Sequence, residues 1–139
     1  MKTTRINRAA PAPAGDIEHY CRGLDGWPRS WMGTEKDVLP GERLVNCFRP
    51  FIEYLVTSSD LSRKTIQKHV DYLWVLGGEI IRDLNETPSL RRKDVVAVLR
   101  DVIANDGGPL IHSGSSEEAQ RHFDSTCRKL HRFLSQPPP

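Results

Sequence analysis

Cysteine is scarce in this chain. Cys21, Cys47 and Cys127 are an odd number of thiols at distant positions, in no paired spacing. That argues against a disulfide framework and a paired-cysteine zinc site, and points to a reducing compartment. Long apolar runs are missing as well, since none approaches the roughly twenty residues that a helix needs to cross a bilayer. Lys2, Arg5 and Arg8 are followed by no apolar stretch, so no secretory signal is expected. The expectation is a cytoplasmic protein with no membrane partner. Charge of one sign is also in short supply. A net charge of +2 and an isoelectric point near 8.5 give no overall drive toward phosphate, so any nucleic-acid contact must come from a local patch. No segment alternates with period two for long enough to demand a strand, and no internal repeat is present.

Catalytic constellations are equally wanting. His19, His69, His112, His122 and His131 are scattered, and no pair has the one-turn spacing with an intervening glutamate that marks a zinc hydrolase. Gly77-Gly78 and Gly107-Gly108-Pro109 have neither the lysine of a phosphate loop nor the spaced glycines of a dinucleotide turn, and read as a packing site and a turn. Cys47 and Cys127 fall on or beside apolar stripes, where a thiol acts as a small hydrophobe. A non-enzymatic chain with no cofactor and no metal is expected.

What is present is one domain with an uneven apolar distribution. Hydrophobic residues make up 37 % of the 139 positions but concentrate after Leu44. Residues 1–16, with their Ala-Ala-Pro-Ala-Pro-Ala-Gly run, cannot bury enough surface to offset the entropy of ordering, and are expected to form a flexible tail. Residues 17–40 set Tyr20, Leu24, Trp27, Trp31 and Met32 among Gly23, Gly26, Pro28, Gly33 and Pro40. They predict an irregular segment whose tryptophans dock onto the helices or anchor a partner. Residues 41–136 form the helical domain.

Four helices are predicted there. Leu44, Phe48, Phe51, Ile52, Leu55 and Val56 share one face of a first helix over Glu42–Thr57, in which Pro50 predicts a kink or a restart. Ser62 caps the second, with Leu61 and Ile66 placed as a hydrophobic staple. Its stripe includes Ile66, Val70, Leu73, Trp74, Gly77, Ile80, Ile81 and Leu84, which puts Trp74 in the core and predicts a close packing contact at Gly77 and Gly78. Pro88 breaks the chain, and Val95, Val98, Leu99 and Val102 make a shorter third helix that stops at Asn105-Asp-Gly-Gly-Pro109. Ser115-x-x-Glu118 reads as the capping box of a fourth helix carrying Phe123, Cys127, Leu130 and Phe133. The fold class is all-α, a four-helix bundle behind an irregular, partly disordered N-terminal segment.

Basic residues supply the functional hint. Arg63, Lys64 and Lys68 occupy the first turns of the second helix, where the helix dipole and free backbone donors favour phosphate. Arg121, Arg128 and Arg132 can share a face of the fourth helix beside Lys129, and Arg91-Arg92-Lys93 forms a third cluster. The alternative is that these are solvated faces balanced by Glu79, Asp83, Asp94, Glu117, Glu118 and Asp124.

The stretches Phe51-Ile-Glu-Tyr-Leu55, Leu61-Ser-Arg-Lys-Thr65 and His69-Val-Asp-Tyr-Leu73, with Arg128-Lys-Leu-His-Arg-Phe133 near the end, resemble the core-binding domain of tyrosine recombinases and phage integrases. The resemblance covers roughly residues 44–134. It implies a SAM-like bundle that clamps duplex DNA through Arg63, Lys64, Thr65, Lys68, Arg121 and Arg128. The recombinase catalytic domain has no counterpart, so strand cleavage is not expected. Trp31-Met-Gly33, Leu76-Gly-Gly-Glu79 and Phe123-Asp-Ser-Thr-Cys-Arg-Lys129 also resemble a family of uncharacterised small bacterial proteins, which implies no activity. The expectation is a non-catalytic DNA-binding or DNA-associated accessory domain of a bacterial or mobile-element system. A protein-interaction module using an apolar patch near Trp27 and Trp31 is the alternative.

Overall fold

The computed structural model describes residues 17–21, 23–111 and 115–136. The expected flexible tail and His112 lie outside them. Among the described residues the body comprises five α-helices: α1 (Trp27–Trp31), α2 (Val38–Thr57), α3 (Arg63–Glu86), α4 (Val95–Val102) and α5 (Glu117–Ser135). Short 3₁₀ turns cover Leu24–Gly26, Glu35–Asp37 and Pro88–Arg92, and the described residues include no strand. The all-α class therefore holds, but the four-helix bundle is corrected to five helices.

The additional helix lies in the segment predicted to be irregular. Its five residues, Trp-Pro-Arg-Ser-Trp, are too few to display a hydrophobic period, while Pro28 sits in the first turn, where its missing N–H is lost anyway. What stabilises α1 is tertiary. A Cβ built on Gly77 would lie 2.2 Å from the Trp31 ring, and one on Gly41 would lie 2.9 Å from Pro28. Two bare backbone positions, one on α2 and one on α3, thus let α1 seat between those helices, as the close packing expected at Gly77 requires. The Trp31 indole N–H donates to the Trp74 carbonyl at 2.9 Å, and the Trp74 indole N–H donates to Ser30 Oγ at 2.9 Å. Trp74 is consequently 43 % exposed at the rim of this contact rather than in the core. Trp31 packs over the glycine pair.

α2 starts at Val38, ahead of the Glu42 that periodicity suggests. Pro40 and Gly41 fall in its first turn, where N–H groups have no intrahelical partner and a proline removes nothing. The helix runs through Pro50 without restarting. Pro50 and Asn46, whose carbonyl loses its donor, both face solvent, so water can satisfy the orphaned oxygen. Ser62 caps α3 as expected, its Oγ accepting from the Thr65 N–H at 3.2 Å. For α5 the cap is Ser116, one residue beyond the predicted Ser115, with Oγ accepting from the Ala119 N–H at 3.1 Å.

Phe48, Phe51, Leu55, Leu73, Leu76, Ile80, Leu99, Phe123, Cys127 and Leu130 form one continuous core, joined from the N-terminal side by Ile17 and Leu24. The turn after α4 is drawn onto α5. Gly108 lies so close to Cys127 and Phe123 that a Cβ there would meet them at 2.5 and 2.9 Å, and its N–H donates to Asp124 Oδ1 at 3.0 Å.

Candidate nucleic-acid interface

The N-terminal turns of α3 carry one wall of an open groove of about 840 Å³ that Arg63, Lys64, Lys68, Asp71, Tyr72 and His19 help to line. The segment opposite is fastened by polar contacts. Gln67 Nε2 donates to the Tyr20 carbonyl at 2.7 Å and to Asp71 Oδ1 at 3.0 Å, and the Arg63 guanidinium stands 5.2 Å from the Tyr20 ring centre. Such a cation–π contact orients a guanidinium without neutralising it. Among the described residues no carboxylate comes within ion-pair distance of Arg63, Lys64 or Lys68. Thr65 serves the cap, its Oγ1 accepting from Ser62 Oγ at 3.0 Å.

The predicted α5 positions do not line this groove. Arg128 is turned to the loop after α4, donating through one terminal nitrogen to the Asp106 carbonyl at 3.0 Å, with Nε 3.9 Å from Asp106 Oδ1. Asp106 itself has φ 67°, the left-handed region, and so presents its carbonyl and carboxylate together. Arg121 is exposed and lines neither this groove nor the one beside the end of α5. Arg63, Lys64 and Lys68 thus line one groove, and neither Arg121 nor Arg128 lines it.

One member of the predicted third cluster, Arg91, is structural. Asp37 is fully buried, and its carboxylate accepts from Arg91 at 2.6 Å, from the Gly33 and Thr34 N–H groups at 2.8 and 3.1 Å, and from Asn85 Nδ2 at 3.0 Å. Arg91 also donates to Asn85 Oδ1 at 2.9 Å. Burial pushes the Asp37 carboxyl upward, but the hydrogen bonds from Asn85, Arg91, Gly33 and Thr34 outweigh it and hold the group below the usual carboxylate range. This clasp ties the segment before α2 to the end of α3 and to the 3₁₀ turn after it. Nothing in local spacing signals it, because Asp37 and Arg91 are remote in sequence.

His69 joins α3 to α5. It is buried, with Nδ1 2.6 Å from Thr126 Oγ1, and Thr126 in turn donates to the His122 carbonyl at 3.3 Å. A hydroxyl that donates to the carbonyl leaves Nδ1–H as the donor between the two side chains. Burial, then Lys129 and Lys68, push the His69 pKa down to about 4, so the ring is neutral. The His69–Thr126 hydrogen bond therefore ties α3 to α5 in the core.

Lys129 and Arg132 line a second groove, between the ends of α2 and α5, which sequence reasoning missed. Its volume is about 300 Å³, and its aromatic side is Phe51, Tyr54 and Phe133, with the Tyr54 and Phe133 rings 5.4 Å apart. Periodicity marks Phe51 and Phe133 as apolar but cannot say that α2 and α5 bring them together. Burial raises the thiol pKa of Cys21 to about 11 and of Cys127 to about 12, and pushes that of Cys47 up as well, which disfavours the reactive thiolate. Among the described residues no cluster of histidine, cysteine and carboxylate side chains could hold a metal, and no helix is long and apolar enough to cross a membrane.

No protein-family model matches the chain, and no curated protein or solved structure is significantly similar to it.

Proposed function

We propose that the chain is a non-catalytic DNA-binding or DNA-associated accessory domain of a bacterial or mobile-element system. It acts in the cytoplasm and holds duplex DNA chiefly by its phosphates. The observation that carries this reading is the set of three cations, Arg63, Lys64 and Lys68, gathered on one groove at the start of α3 with no carboxylate at ion-pair distance among the described residues. Arg29, Arg49, Arg82, Arg91 and Arg128, by contrast, each face an acidic partner. A cation without an internal counterion gains most from a phosphate, and the positive end of the α3 dipole adds to the attraction. The likeness of Leu61-Ser-Arg-Lys-Thr65 to the recombinase core-binding motif supports the same surface. The alternative patch at Trp27 and Trp31 has less to recommend it, because both rings are half-buried and Trp31 fills the space over Gly77.

The test is fluorescence anisotropy with a labelled blunt duplex at low salt. Binding is expected, and Arg63→Glu with Lys68→Glu weakens it uniformly across sequences. Absence of binding by the native chain, or an unchanged affinity in the double variant, overturns the reading.

A further inference from the structure

We propose that the groove between the ends of α2 and α5 takes one unpaired nucleotide of a single DNA strand, its base against Tyr54 and its phosphate between Lys129 and Arg132. This rests on the nucleic-acid reading above and adds a preference for DNA with a frayed or overhanging end.

Three observations choose the occupant. The first is the combination of side chains. Tyr54 is 43 % exposed although it belongs to a cluster with Phe51 and Phe133, so part of its side chain remains open to a ligand. Lys129 and Arg132 lie one helical turn apart on the same side of α5, line this groove, and have no carboxylate of the described residues within ion-pair distance. Open aromatic faces beside unpaired cations are the two components that bind single strands.

The second is size and shape. About 300 Å³ is at the small end of ligand pockets and suits one base, not a duplex. A paired base also has both faces covered by its neighbours, so Tyr54 offers an intact duplex nothing. Asp60 also lines the groove and repels a second phosphate there.

The third is continuity with the α3 surface. Leu61, which lines this groove, precedes Arg63 by two residues, and the His69–Thr126 hydrogen bond ties α3, one residue after Lys68, to α5, three residues before Lys129. A duplex held at the start of α3 therefore has a route for its unpaired end into the groove.

The experiment compares the full chain binding a labelled blunt duplex with the same duplex bearing a five-nucleotide thymidine overhang. The overhang is expected to raise affinity about tenfold. Tyr54→Ala removes that gain without changing blunt-duplex binding, Tyr54→Phe keeps it, and Lys129→Gln with Arg132→Gln removes it. These positions are at or near the surface, and circular dichroism checks that each variant folds. Equal affinity for the two DNAs overturns the proposal, as does a gain that survives Tyr54→Ala or that an abasic overhang reproduces. Binding of thymidine monophosphate with no gain from the overhang overturns the strand as the source. Blunt-duplex binding without a gain sinks the groove alone. Failure of blunt duplex with Tyr54-dependent binding of a thymidine oligonucleotide sinks the duplex reading and leaves the groove standing.

Discussion

Arg63-Lys64 and Arg91-Arg92 look alike in the sequence, two basic pairs beside helix ends, yet the fold uses them in opposite ways. Arg91 turns inward to a fully buried Asp37, whereas the Arg63 and Lys64 side chains stay outside with no acidic partner at ion-pair distance among the described residues. The difference is made by the partner and not by the base. A carboxylate that folding removes from water needs a cation brought to it, and the turn after Pro88 delivers Arg91 to that place. Among the described residues no buried acid makes the same demand at the start of α3.

This contrast is easiest to break by stability measurements. Arg91→Ala leaves the Asp37 charge buried and should cost about 3 kcal/mol, read as a lower urea midpoint at unchanged slope. Arg91→Ala with Asp37→Asn should recover part of that loss, because the uncompensated charge is gone. Gly77→Ala comes next, because its methyl has no room beneath Trp31, and about 2 kcal/mol of overpacking is expected in the same assay. Lys64→Ala or Lys68→Ala should shift stability by no more than about 0.5 kcal/mol.

Acid should act on both sides of the comparison in different windows. The His69 pKa is lowered from 6.5 to about 4, so the unfolded chain binds the proton more readily than the folded one. Stability is then full above pH 6.5 and falls as the pH drops from there toward 4, by up to about 3 kcal/mol. Asp37 has its pKa lowered from 3.8, so its contribution is present above that value and is lost only as the pH falls further through the folded value. A Tm series should fall between pH 6.5 and 4 in the native chain and stay flatter over that interval in His69→Asn. Equal slopes would remove His69 as the cause.

The parts of the fold that could be read from sequence are those in which one helix carries its own signal. The stripes of α2 to α5, the Ser62 cap and the stop after α4 are local patterns, repeated over several turns or written in single capping residues. α1 was illegible because its five residues are stabilised by Gly41 and Gly77 on other helices. The α5 cap was misplaced by one residue because Ser115 and Ser116 are equally able acceptors, and backbone geometry chooses between them. Trp74 belongs to its stripe by spacing, yet Trp31 from a remote segment occupies the space beneath. The same limit applies to the site. Arg63, Lys64 and Lys68 could be grouped because they share the start of one helix, while the pairing of Arg128 and the internal role of Arg91 depend on Asp106 and Asp37. The Tyr54 groove needs two helices to exist at all.

The central claim is that cations without an acidic partner meet phosphate and those with one do not. The slope of the logarithm of duplex affinity against the logarithm of salt concentration tests it most directly. The account predicts a slope of about −3 or steeper for the native chain, made shallower by about two in Arg63→Glu/Lys68→Glu and unchanged in Arg128→Gln. A slope indifferent to the α3 pair, or one that responds to Arg128 in its place, would contradict it.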